Sequence, residues 1–351
     1  MSSWTDFLAS RGAIFDAEAV SRFGAPAEEL AFAESGAIVC DLSPLAVLRV
    51  AGADAEGFLQ GQLTNDVTAL AADHTQYSAW CSAKGRMLAN FLVARTDENA
   101  FDLYLPHSLI GSIAKRLAMF LLRAKVSIAD TSAESVRIGV AGPAAADTLR
   151  SIASAIPPPH SGVRVGGGLL IALPAGRFFV RIDPGHAAEL WEKLQHTARA
   201  AGFPVWQWST IRAGVPVVTP ATSDQFIPQV LNWDALGGIS FQKGCYAGQE
   251  IVARTQYLGR LKERTFLAHV DALPPPAGAR LFGAAFGEQA CGTVVNAATA
   301  PTGGADLLVA LQIAARERGD VHLGRLDGPP VQMLPLPYAI PAAIAPRGRM
   351  A

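Results

Sequence analysis

From residue 261 onward the chain runs as short apolar segments, TFLAHV, CGTVVNA and LLVALQI, cut by Pro/Gly-rich turns at 274–276 and 302–304. Segments this short and this evenly spaced fit a small β-barrel or sandwich, not a helical unit. The residues before that point have a different texture, with helical and strand-like periods alternating. The fold class read from the pattern is therefore α+β. It comprises a body over residues 1–260 and a C-terminal β module, barrel or sandwich, over residues 261–345. A length of 351 residues is enough for two or three domains with a sizeable core.

Within the body, residues 4–10 and 26–34 read as helices, with Gly36 as a C-cap. Residues 46–50 read as a strand, and Asp54 stands at the N-cap position of the helical AEGFLQGQL. A hairpin is expected from residues 77–81 and 86–94, turning at Lys84 and Gly85, with a third strand at 100–105. Residues 108–122 place Ile110, Ile113, Leu117 and Phe120 on one helical face. A strand at 137–140 and a helix opened by Pro143 precede IPPPHSG at 156–162, a linker or long loop. Strands at 169–172 and 178–182 and an amphipathic helix at 186–200 complete the reading.

Lys and Arg number 29 against 30 Asp and Glu, a net charge of −1, which excludes binding to nucleic acid by a broad basic surface. The four cysteines, Cys40, Cys81, Cys245 and Cys291, show neither CxxC nor Cys/His ligand spacing, so no intrinsic metal or cluster is expected. The N-terminus lacks a basic stretch followed by an apolar one, and residues 328–346 contain six prolines. No signal peptide, no membrane association and a cytoplasmic, reducing location are expected.

The segment ISFQKGCYAGQEIVAR, residues 239–254, concentrates chemistry. Cys245 lies between Gly244 and Gly248, two residues after Lys243 and just before a helix-like run. A helix N-terminus and a lysine both stabilise a thiolate. Glycines let a ligand approach the backbone. An inert thiol in a tight loop accounts for the same residues equally well.

KGCYAGQE, residues 243–250, resembles the signature of the YgfZ family, offshoots of the glycine-cleavage T-protein, an aminomethyltransferase. GFLQGQLTNDV (57–67), CSAKGRMLANF (81–91), QFIPQVLNWDALGGISF (225–241) and MLPLPYAI (333–340) resemble further family stretches in the same order. The resemblance implies three modules, two interleaved in the body and the third a C-terminal β-barrel, around a central hole that holds a reduced folate, tetrahydrofolate or a derivative. It implies an accessory role in iron–sulfur cluster assembly or repair, with assembly proteins or client cluster enzymes as partners. It also implies an indirect effect on tRNA modification. The near-neutral charge suits that indirect link, and direct tRNA binding is not expected.

Carried onto this sequence, the resemblance makes Cys245 the reactive thiol, supported by Lys243. It makes Trp206, Asn65, Asp66, Asn90, Tyr246 and Arg254 candidate folate contacts, with Trp208 as a second aromatic. Lys243, Arg254 and Arg260 are candidates for the anionic glutamate tail. Two positions depart from the family pattern: Leu45 replaces an aromatic residue, and Arg212 replaces a pterin-binding acid. Ala89 and Asn90 occupy the acidic positions of the T-proteins, and an amide cannot exchange a proton near neutral pH. Active aminomethyl transfer is thus not expected. An aminomethyltransferase-like enzyme, a cysteine hydrolase using one of the seven dispersed histidines, and a non-catalytic interaction scaffold are the alternatives.

Overall fold

The computed structural model describes residues 3–257 and 261–341. A first sheet of five antiparallel strands has the spatial order Thr75–Cys81, Met87–Asp97, Ala100–Pro106, Leu45–Ala51, Ser127–Asp130. The expected hairpin turn is present: Ser82 N donates to Arg86 O at 2.8 Å, and Gly85 takes the left-handed conformation at φ +69°. Helices Ala55–Gln62 and His107–Ala118 pack on this sheet. The second buries Leu109, Ile110, Ile113 and Leu117, as its periodicity requires. It stops at Ala118, however, and the expected core residue Phe120 is 48% exposed. Asp54 precedes the first of these helices without capping it through its side chain; its carboxylate accepts from Lys125 N instead.

A second sheet has the order Gly162–Val165, Gly168–Leu173, Arg177–Ile182, Val136–Ala141, Ile38–Asp41, Arg199–Ala201. Only its last pair is parallel. The chain leaves this sheet at Asp41, builds the whole first sheet, and returns at Val136, so the two sheets are interleaved in sequence. The helix expected at 186–200 is Pro184–Gln195. Residues 199–201 pair with Ile38–Asp41 because the backbone there covers an otherwise open sheet edge. The 156–162 segment connects elements of this same sheet and crosses to the first one: Thr75 N donates to His160 O, and His74 bridges Ser161.

After helix Phe203–Arg212, a long irregular stretch leads to helix Gln249–Tyr257 and then to the third sheet. Its order is His322–Leu323, Arg280–Phe282, Gly292–Thr299, Ala305–Gln312, Glu263–Val270, Val331–Leu334. This is a curled six-stranded half-barrel, not the closed barrel expected. Its edge strands are too short to form a ladder across the gap, which among the described residues is spanned by the single His322–Pro330 bridge. One apolar core joins all three sheets, from Leu48 and Phe91 through Phe179 and Trp206 to Leu267 and Leu308.

Candidate functional site

Where the three sheets converge, a cavity of about 660 Å³ remains. The first sheet contributes Tyr77, Asn90 and Tyr104, the second Leu173, Arg177 and Phe179, and the third Asn296 and Ala297. The Pro274–Pro276 run, legible in sequence only as a turn, forms part of the wall. Helix Phe203–Arg212 presents Phe203, Trp206, Gln207, Thr210 and Ile211 to the cavity. That spacing of i, i+3, i+4, i+7 and i+8 is one helical face.

Trp206 is 4% exposed and lies against Gly139, where a Cβ would come within 2.6 Å of the indole. Trp208, two residues on, points elsewhere: its Nε1 donates to Asp306 at 2.9 Å. Leu45 lines the cavity, so the family's missing aromatic leaves part of that wall aliphatic. Arg212 does not line it. Its guanidinium lies 3.6 Å from Asp306 on the opposite side of the helix and is 45% exposed. The acid-to-arginine departure therefore places no positive charge inside the cavity.

Sequence reasoning missed Arg177, which is 3% exposed and lines the cavity. Its Nε donates to Pro174 O at 3.4 Å, Nη1 to Thr210 Oγ1 at 3.0 Å, and Nη2 to Tyr77 Oη at 3.5 Å. The guanidinium carbon sits 5.6 Å from the Trp206 ring centroid, within cation–π range. Among the described residues no carboxylate pairs with Arg177, and none lines the cavity. The available signal was an arginine opening the apolar run RFFVRI. His160 touches the edge of Tyr77, with ring centroids 4.7 Å apart. Burial, reinforced by Arg177, pulls its imidazole down to about 4.

Asn90 lines the cavity but is engaged structurally. Its Oδ1 accepts from Val218 N at 2.8 Å and its Nδ2 donates to Pro216 O at 2.9 Å. From the third sheet, Asn296 does the same to both backbone groups of Val217. The two amides hold residues 216–218 between the sheets like rungs of a ladder. Ala89 faces Trp80 across the strand pair and is fully buried.

Asn65, Asp66, Lys243, Cys245, Tyr246 and Arg254 lie outside the cavity lining. The Lys243 ammonium donates to the carbonyls of Gln60, Leu63 and Asn65 at 2.8, 2.7 and 2.9 Å. It caps the end of helix Ala55–Gln62, where carbonyls lack helical partners and the dipole is negative. Burial draws its pKa down to about 8. Asn65 donates to Tyr77 O and Gly237 O, and Asp66 accepts from Gln60 and Thr68, whose hydroxyl holds the carboxyl below its usual range. Both act as turn-forming residues.

Cys245 is exposed, whereas Cys40, Cys81 and Cys291 are buried. On one side Lys243 anchors the loop. On the other, Tyr246 is buried, with the Lys243 ammonium 5.3 Å from its ring centroid. Gly248, at φ +79°, is packed so closely that a Cβ would come 2.5 Å from Ser82 O and 2.9 Å from Gly85 Cα. The two glycine-bearing motifs, AKGRM and KGCYAGQE, thus interlock. The supports expected for a Cys245 thiolate are placed differently, because Lys243 is committed to carbonyls and the helix opens four residues later, at Gln249. Among the described residues no histidine is hydrogen-bonded to Cys245. Arg254 is exposed on that helix, and Arg260 lies outside the described residues.

Two interleaved α+β sheets and a curled third sheet, closing on one aromatic-walled cavity, define a protein of the aminomethyltransferase fold. The glycine cleavage system aminomethyltransferase T from Bartonella henselae has this fold, with a TM-score of 0.74 over 95% of this chain and 96% of that one at 18% identity. Residues 10–163 match the GCVT N-terminal domain. The tRNA-modifying protein YgfZ of Escherichia coli O7:K1 (strain IAI39 / ExPEC) and that of Shigella sonnei (strain Ss046) are each 34% identical over 323 residues. That span is 90% of this chain and 97% of theirs. The chain belongs to the YgfZ family. No helix among the described residues is long and apolar enough to cross a membrane.

Proposed function

We propose that this protein binds a reduced folate in the central cavity and serves iron–sulfur cluster assembly or repair, reaching tRNA modification indirectly. The observation that carries the folate reading is the cavity at the junction of three sheets, of about 660 Å³ and walled by Trp206, Tyr77, Tyr104 and Phe179. Its size is typical for a small-molecule ligand, and flat aromatic walls suit a pterin ring. A bound reduced folate supplies one-carbon chemistry at its ring and bridge nitrogens. The residues that would hold it are Trp206 and the polar lining groups. Aminomethyl transfer is not part of the proposal, because among the described residues the lining offers no carboxylate to move a proton. Relatives named tRNA-modifying proteins support the tRNA-modification part of the reading. So does the net charge of −1, which favours an indirect route to RNA.

Titration with tetrahydrofolate and 5-formyltetrahydrofolate, followed by calorimetry and tryptophan fluorescence, tests the reading. Saturable binding is expected, weakened about tenfold or more by Trp206→Ala, the loss of one stacking wall. Absence of binding to either folate would remove it. Cys245 is proposed as a thiol that meets a cluster intermediate or a partner thiol, not the folate, since it stands outside the cavity lining. Cys245→Ser is then expected to keep folate affinity while failing to restore cluster-enzyme activity in cells that lack the protein.

A further inference from the structure

We propose that Arg177 is the anion receptor of the central cavity and holds a carboxylate of the ligand, so that the cavity selects a glutamate-bearing folate over a bare pterin. This inference rests on the folate reading above and concerns which part of the ligand gives it affinity.

A guanidinium does not lose its proton in proteins, so Arg177 carries its charge into a buried position. Buried charges without a counter-ion are costly, and folded proteins pair them. Among the described residues Arg177 has only neutral acceptors, two of them at 3.4 and 3.5 Å, near the outer limit of a hydrogen bond. Each Nη atom makes one of these bonds and keeps a second N–H, one on each arm of the fork. Two parallel N–H donors match the two oxygens of a carboxylate.

The guanidinium is also fixed in place. Its backbone belongs to the strand Arg177–Ile182 in the middle of the second sheet. Tyr77 and Thr210 hold its two arms from the first sheet and from helix Phe203–Arg212, and the Trp206 ring lies within cation–π range. Rotamer freedom is thus already removed before a ligand arrives, which is what a preorganised binding group requires. The local field is positive: among the described residues the lining holds no carboxylate, and the neighbouring His160 is kept neutral. A pterin ring is uncharged near neutral pH. The glutamate of a folate is the part of that ligand with the charge this site lacks.

The test compares two probes on the full chain. One is 5-formyltetrahydrofolate. The other is 6-methyltetrahydropterin, which has the ring without the benzoyl-glutamate. Wild type is expected to bind the folate much more tightly than the pterin. Arg177→Met is expected to weaken folate binding about 10–100-fold, the usual size of a charge-assisted pair, while leaving pterin binding unchanged. The ligand-free variant is expected to melt no lower than wild type, since an unpaired buried charge has been removed.

Several results would overturn the proposal. Equal loss for both probes, or a lower melting temperature with no selective loss, would make Arg177 a structural tie between Tyr77 and Thr210. Unchanged folate binding in Arg177→Met would remove the receptor and leave the folate reading standing. Failure of wild type to bind either probe would remove the folate reading and this inference with it. If Arg177→Met does not fold, Arg177→Lys keeps the charge but loses the two-armed fork, and an intermediate loss confined to the folate is expected.

Discussion

At the scale of single residues, Cys245 and its two neighbours divide the work of one loop. Lys243 and Tyr246 are buried anchors, and the thiol between them faces solvent. The other three thiols are shielded, and burial pushes Cys81 up to about 12 and raises Cys40 and Cys291 as well. Thiol titration of the native protein with an aromatic disulfide reagent should therefore give one fast equivalent out of four. The remaining three should appear only on denaturation, and Cys245→Ser should abolish the fast phase. More than one fast equivalent would mean that the cores around Cys81 or Cys40 open readily. The prominence of Cys245 was legible in the sequence because glycines and a lysine crowd around it. The task of that lysine was not. Its three carbonyl partners lie about 180 residues earlier in the chain, and no local pattern encodes a contact of that span.

Among the elements, helix Ala55–Gln62 shows how the family segments depend on one another. Its last turn ends without a glycine cap, and its carbonyls are satisfied by Lys243 from the signature loop. Replacing Lys243 with methionine keeps the length of the side chain but leaves three buried or part-buried carbonyls without a donor. Two to three such groups lead us to expect a loss of about 2–4 kcal/mol in urea denaturation. A loss below about 1 kcal/mol would show that water reaches those carbonyls and that the cap is dispensable. Elements with strong periodicity, such as the hairpin around Gly85 and helix His107–Ala118, were legible nearly to their ends. Those governed by distant pairing were not. Residues 199–201 continue a helical pattern yet form a strand, because a parallel edge at Ile38–Asp41 is available to them only in the folded chain. The short-strand character of the third sheet was legible, but its failure to close depends on edge strands of two to four residues.

For the whole molecule, what matters is how three sheets are tied around a cavity that weakens the core they share. The α+β body and the β module could be read from texture, and the position of Trp206 from the family resemblance. The ties themselves could not, because each is a polar side chain reaching across modules: Asn90 and Asn296 on residues 216–218, and Lys243 on the carbonyls at the end of helix Ala55–Gln62. The loop carrying His160 is a further tie, pairing with Thr75 and setting its ring against Tyr77. This one titrates. In the folded protein the imidazole takes up a proton only near pH 4, whereas in the unfolded chain it does so near 6.5. Between those values the unfolded state alone binds the proton, so stability present above pH 6.5 declines as the pH falls and stops declining below about 4. From pH 7 to pH 5 this group should cost about 2 kcal/mol of unfolding free energy. Urea denaturation at the two pH values, on wild type and on His160→Gln, isolates the contribution, since the remaining titrating groups are common to both. A smaller acid loss in the variant is expected, and equal losses would mean that the His160 loop leaves the first sheet before the molecule unfolds.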